Sequence, residues 1–210
     1  MEGCHFFTAQ DALPEAEGSR PPLHRSSVTA SHYALDSHAV RKREPGRIHL
    51  DGFFSHPTAV YTVPYGVMVP RRVENLLFPT AVSGSHVGFS TLRMEPCWMA
   101  LGEAAGTAAA LAADSRRNVR EIPVDSLQER LLRHGAVLVY LRDLRPGDPD
   151  YAAVQRLALH GFFPEWEAGL DRPLDASTAR LWSSLAGRGI TADGTATRRE
   201  WIRRIAMTNF

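Results

Sequence analysis

A mixed α/β fold (α+β) is what this chain predicts, on three observations. Two-residue alternation marks its first third, small-residue and Leu-striped helical runs fill its middle, and only helical periodicity follows residue 148. Its 210 residues are 44% hydrophobic, enough for the core of one domain plus a smaller module. Lys and Arg total 24 against 23 Asp and Glu, so neither sign reaches the excess that suits a nucleic acid or an anionic membrane. Cys4 and Cys97 are too few for a disulfide framework and too far apart for zinc-ligand spacing. The first residues, MEGCHFFTAQDALPEAEGSRPPLHR, lack the basic-then-apolar layout of a signal segment. No run reaches the roughly 18 apolar residues of a membrane span, and Glu103 interrupts the Ala-rich stretch from 98 to 113.

Residues 1–30, rich in Pro, Ser, Glu and Arg and without periodicity, read as a poorly ordered arm. In SHYALDSHAV an extended chain sets His32, Ala34, Asp36 and His38 on one face. RIHLDGFF is a second candidate strand with a turn signal at Asp51-Gly52. AVYTVPYGVMVP puts Tyr61, Val63, Tyr65, Val67 and Val69 on an apolar face, while Pro64, which has no N–H to donate, makes it an edge or bulged strand. Residues 75–78 form a short apolar strand stopped by Pro79, and residues 81–93 carry too many Ser and Gly to be regular. A helix follows to about Ala113, with Pro96 in its first turn and Glu95 at the positive end of its dipole. Gly102, Ala105, Gly106 and Ala109 give it a small-residue face for close packing.

After Pro123, Asp125 caps a helix bearing Leu127, Leu131 and Leu132 that stops at Gly135 and leads into a strand, AVLVYL. LRPGDP closes the segment 31–143, and residues 148–210 form a small helical module. Its first helix is capped by Asp148 and stopped by Gly161. The second starts near Asp175 and buries Ala179, Trp182 and Leu185, and the third is announced by the capping box of Thr197 and Glu200.

A short strand, a small-polar loop and a helix start together offer unpaired backbone N–H groups to an anion or an electron-rich carbonyl. His32, Asp36 and His38 on one strand face read as the lining of a polar cleft, with a metal the lesser alternative. Ser85-His86 lacks the G-x-S-x-G elbow of a serine hydrolase, and Cys97 is a redox candidate or a small buried residue.

The run YTVPYGVMVPRRVENLLFPTAVSGSHVGFSTLRMEPCWMALGEAAGTAAALA resembles the C-terminal end of a family of bacterial FAD-dependent oxidoreductases with a glutathione-reductase-like fold, some of whose members are labelled xanthan lyase. Members read approximately "IPYRSLVP…NLLVP…SASHIA…SIRMEPVFMVLGQSAATAA", and the likeness covers about residues 31 to 140. The tail is more loosely similar to an S-layer-homology-like repeat. By this resemblance the helix beginning at Glu95 aims its N-terminus at the flavin ring, where its dipole favours the reduced, negatively charged form. Ser83, Ser85, His86, Arg93, Met94 and Glu95 are then the cofactor-binding residues, FAD is held noncovalently, and His86 and His38 are the catalytic candidates, His38 as proton donor or acceptor.

The sequence departs from the family at two places. Gly66 stands where members carry an arginine, and no G-x-G-x-x-G follows a strand, so the pyrophosphate cradle is missing from these residues. The expected function is therefore the flavin-side segment of an FAD-dependent oxidoreductase, completed by an N-terminal dinucleotide-binding half, with an unknown small-molecule or carbohydrate-like substrate. The alternatives are a noncatalytic interaction or cell-wall-binding remnant and, by family labelling alone, a polysaccharide lyase.

Overall fold

Two-residue alternation produces β1 (Ser27–Ser31) and β4 (Tyr61–Pro64), which pair antiparallel with Thr29 opposite Val63 and Ser31 opposite Tyr61. The computed structural model describes residues 2–37, 44–46, 54–192 and 194–207. Pro64 faces Ser27 across a bulge at the end of this ladder, where its missing N–H does no damage. Beyond Pro64 the chain tightens into a 3-10 turn, Tyr65–Val67, so the expected run of alternation through Val69 is cut short. A second antiparallel pair joins β2 (Leu35–Ser37) to β3 (Phe54–His56). The SHYALDSHAV segment is thus broken at residues 32–34, and His32 and Asp36 do not share one strand. His38 and the Asp51-Gly52 turn lie outside the described residues.

The N-terminal segment is folded, which corrects its reading as a poorly ordered arm. Phe7 is fully buried, and a one-turn helix, α1 (Ala9–Ala12), starts at a capping box of Thr8 and Asp11. Gly3 N–H donates to Ser83 Oγ at 2.9 Å and Phe7 N–H donates to the Ser83 carbonyl at 3.1 Å. Glycines make room for this segment: a Cβ at Gly88 would lie 2.3 Å from the Phe7 carbonyl oxygen, and one at Gly84 2.9 Å from it.

Residues 75–78 do not form a strand. Asn75 takes a left-handed conformation (φ 51°) and accepts from Val119 N–H at 3.3 Å, and no strand pairs with the run among the described residues. Residues 81–93 are more regular than expected, because Ser85 accepts from Gly88 N–H at 3.0 Å and starts α2 (His86–Leu92). The long helix α3 (Glu95–Ser115) has Pro96 in its first turn and buries Leu101, Ala104, Ala108 and Ala112 along one stripe. Gly102 and Gly106 lie off that stripe, with nothing within 4 Å of an added Cβ; the alanines make the close packing the glycines were expected to make.

Helix α4 (Val124–Arg133) buries Leu127, Leu131 and Leu132, and its N-cap is Pro123, with Asp125 in the first turn making no cap. Residues 136–141 do not form a strand: the chain bends at Leu138 and Val139, whose backbone groups a side chain satisfies. Gln155 Oε1 accepts from the Leu138 and Val139 N–H groups at 2.8 and 2.9 Å, and its Nε2 donates to the Val139 carbonyl at 2.7 Å.

Gln155 belongs to α5 (Tyr151–Leu159), the first of three tail helices, followed by α6 (Ala176–Ala186) and α7 (Arg198–Ala206). Asp150, not Asp148, occupies the N-cap position of α5. Trp182 is fully buried against Phe162 and Phe163 and donates from Nε1 to the Phe162 carbonyl at 2.8 Å. Asp150 binds both Arg199 and Arg203, at 2.7 and 2.8 Å, and ties the start of α5 to α7. The buried core runs on from α4 into α5, so the Pro-Gly segment before residue 148 is a turn on a continuous core.

Candidate functional site at the α2–α3 corner

Capping by Ser85 places His86 at the first position of α2, where its Nε2 lies 2.9 Å from Ser37 Oγ at the end of β2. One turn on, Ser90 Oγ accepts from the Asp36 N–H at 2.9 Å, which holds β2 against the helix. Arg93 closes α2 and donates to Asp36 Oδ2 at 2.7 Å, with its guanidinium 5.8 Å from the Tyr33 ring centre. The bond to Asp36 holds the Arg93 guanidinium above its usual pKa. Its positive charge is correspondingly matched by a carboxylate whose side chain is only 8% exposed.

Met94, the N-cap of α3, has no oxygen with which to cap it, and Pro96 has no N–H. The helix therefore begins with N–H groups that no side chain of its own cap satisfies, and the exposed Glu95 stands beside them. Met94, Pro96 and Cys97 form one wall of a recess of about 290 Å³ whose other wall is Ala30, Ser31, His32 and Tyr33. Cys97 is buried and burial pushes its thiol pKa up, so it is the small packing residue of the two readings. The Trp98 indole Nε1, one residue further on, is buried without a hydrogen-bond partner.

Five of the six expected cofactor-binding residues, Ser85, His86, Arg93, Met94 and Glu95, thus fall on α2 or the start of α3. Ser83 does not join them: it is fully buried, and its hydroxyl is taken by the Gly3 N–H. His32 donates from Nε2 to the Thr58 carbonyl, 3.0 Å away, and Asp36 is held by Arg93, so neither takes part in the metal set considered for that segment. Sequence reasoning missed a second polar cluster, in which His5 and His24 both meet Asp11. The Thr8-x-x-Asp11 spacing was its only local signal, announcing the helix that positions Asp11.

The corner thus combines a helix start that its N-cap side chain leaves uncapped with a guanidinium at its margin. G-x-G-x-x-G, the pyrophosphate-binding motif of a dinucleotide site, is absent from the sequence. No described helix is long and apolar enough to cross a membrane. Residues 1–131, well over half of the chain, match the model of a family described as FAD dependent oxidoreductase. No curated protein and no solved structure matches the chain.

Proposed function

The chain belongs to the FAD dependent oxidoreductase family, and from that premise we propose that its α2–α3 corner forms the ring-side wall of a flavin site whose dinucleotide cradle is supplied by another segment. FAD is the cofactor of the family, and when bound it supplies hydride transfer. The observation that carries the proposal is the start of α3, with its uncapped N–H groups above the recess lined by Met94, Pro96 and Cys97.

These residues would act mainly as dipoles. Arg93 is neutralised by Asp36, so the helix start contributes more to binding an electron-rich ring edge than the guanidinium does. His86, exposed and bonded to Ser37, is the side chain at this corner able to hand on a proton, with the Ser37 hydroxyl as its relay. The outer face of α3 supports the need for a further segment: Met99 is 76% exposed and Gly102 and Gly106 are uncovered, a surface on which a nucleotide-binding sheet of glutathione-reductase-like type could pack. The substrate class and the accessory role of the tail belong to the same proposal; the tail carries none of the expected flavin residues.

Titration of the purified chain with riboflavin and with FAD, followed by flavin fluorescence, tests this reading. A wall that touches only the ring binds both weakly and within about threefold of each other, and Met94→Asp, which caps α3 and sets a carboxylate there, weakens both at least about tenfold. FAD binding a hundredfold tighter than riboflavin would place an ADP site within this chain and defeat the two-segment proposal. No saturation by either ligand at millimolar concentration would remove the ring-side role.

A further inference from the structure

The geometry points to a binding site for a divalent first-row transition cation at His5, Asp11 and His24, away from the α2–α3 corner and independent of the flavin reading. Three separate stretches supply the ligands: the N-terminal segment, α1 and the connection into β1. His5 Nε2 lies 3.0 Å and His24 Nε2 2.9 Å from the same oxygen, Asp11 Oδ1, and all three ligand atoms fall within 4.8 Å of one another. Metal–ligand bonds of about 2.0–2.2 Å set neighbouring ligand atoms roughly 3 Å apart, so both carboxylate–imidazole edges already have the separation a shared cation imposes. Two imidazoles and one carboxylate suit zinc, iron, cobalt or nickel, and not the all-oxygen preference of calcium or magnesium.

Proton accounting at His24 gives the independent argument. The Thr62 hydroxyl lies 2.9 Å from His24 Nδ1 and 3.2 Å from the Pro22 carbonyl. The Thr62 carbonyl, 3.2 Å from the same nitrogen, is an acceptor. With its proton on Nδ1, held by that carbonyl, a neutral His24 turns the lone pair of Nε2 to Asp11, as a metal ligand does.

Asp11 Oδ1 is the oxygen that both rings meet. Its other oxygen is occupied by Thr8, whose N–H and hydroxyl donate at 2.7 and 2.9 Å. A lone pair and a carboxylate oxygen 2.9 Å apart repel unless a positive charge lies on or between them. One divalent cation between them would answer the carboxylate oxygen and both imidazole nitrogens at once.

The surroundings complete the set. An Nδ1–H held by a backbone carbonyl while Nε2 faces the cation is the usual outer support of a metal-bound histidine. Phe7, with its ring 6.3 Å from those of His5 and His24, closes the apolar side. The His5 side chain is 31% exposed against 14% for His24, which leaves an open approach and room for water ligands on the His5 side.

Cobalt(II) and zinc(II) titrations of chelator-treated protein test the site. We expect one equivalent of cobalt to bind with visible absorption bands, zinc to displace it, and the melting temperature to rise with the logarithm of free zinc. His5→Ala should weaken binding at least about a hundredfold, and Asp11→Asn, which keeps an oxygen for the Thr8 bonds and hence the start of α1, should do the same with an unchanged far-ultraviolet circular dichroism spectrum. The exposed His134→Ala serves as the control and should bind as the parent chain does. Absence of saturable binding at millimolar metal, or binding that survives both His5→Ala and Asp11→Asn, would overturn the proposal.

Discussion

In the tail, the starts of α6 and α7 are fixed by side chains a few residues away. Asp175 accepts from the Thr178 N–H at 2.9 Å to start α6, and Thr197 and Glu200 cap each other at α7. Before residue 135 local caps start α1 and α2, but the contacts that close the region span the chain: Gly3 reaches Ser83, Phe7 presses on Gly84 and Gly88, and Ser27 Oγ donates to the Leu138 carbonyl at 2.9 Å. Locally encoded structure survives replacement of its distant partners; structure closed over long loops needs all of them at once. Gln155 is where the two kinds meet, a tail residue that satisfies three backbone groups of the preceding region.

Removing the centre of the tail core tests how far the two regions stand apart. Trp182→Ala should cost about 3–5 kcal/mol in urea denaturation. Because Gln155 staples α5 to residues 138–139, the loss is expected in one transition; two separated transitions would show that the tail unfolds alone.

A pair of glycine substitutions sharpens the contrast further. Gly88→Ala drives a Cβ to 2.3 Å from the Phe7 carbonyl and should cost about 2 kcal/mol. Gly102→Ala, in open space within α3, should raise stability by about 0.5–1 kcal/mol. Equal effects of the two on melting temperature would mean that the Phe7 approach is not a constraint.

The smallest effect expected is acid sensitivity in the tail. Asp148 is held below the usual carboxylate range chiefly by Arg199, and Asp150 chiefly by Arg203. Carboxyls with lowered folded-state pKa contribute stability that is fully present above the unfolded value near 4 and is lost as pH falls through the folded one. Stability measured from pH 5 downward should therefore decline, less steeply in Asp150→Asn. An identical slope in that variant would assign the decline to other carboxylates.

Much of the tail was legible in the sequence because its signals are local. Asp175, Gly161 and the Thr197–Glu200 box act within four residues, and the aromatic run at 162–163 needs only the next helix to bury it. The front was less so. Residues 75–78 and 136–141 are apolar enough for strands, but a strand also needs a partner edge, and an Asn75 bond and the Gln155 amide stand in the place of one. His5 and His24 meet Asp11 from stretches whose composition reads as disorder, and only the fold reveals the meeting. The candidate flavin corner came from resemblance, and its Ser83 fell away because burial turned that hydroxyl inward to Gly3.

The close fit of the Phe7 carbonyl against Gly88 also bears on the order of synthesis. Residues 3–8 leave the ribosome before their partners at residues 66–70 and 83–88, which follow some sixty to eighty residues later. At about 5–20 residues per second, the earlier segment waits several seconds without these neighbours. During that interval Phe7, fully buried once folded, is open to any apolar surface until Gly84 and Gly88 arrive.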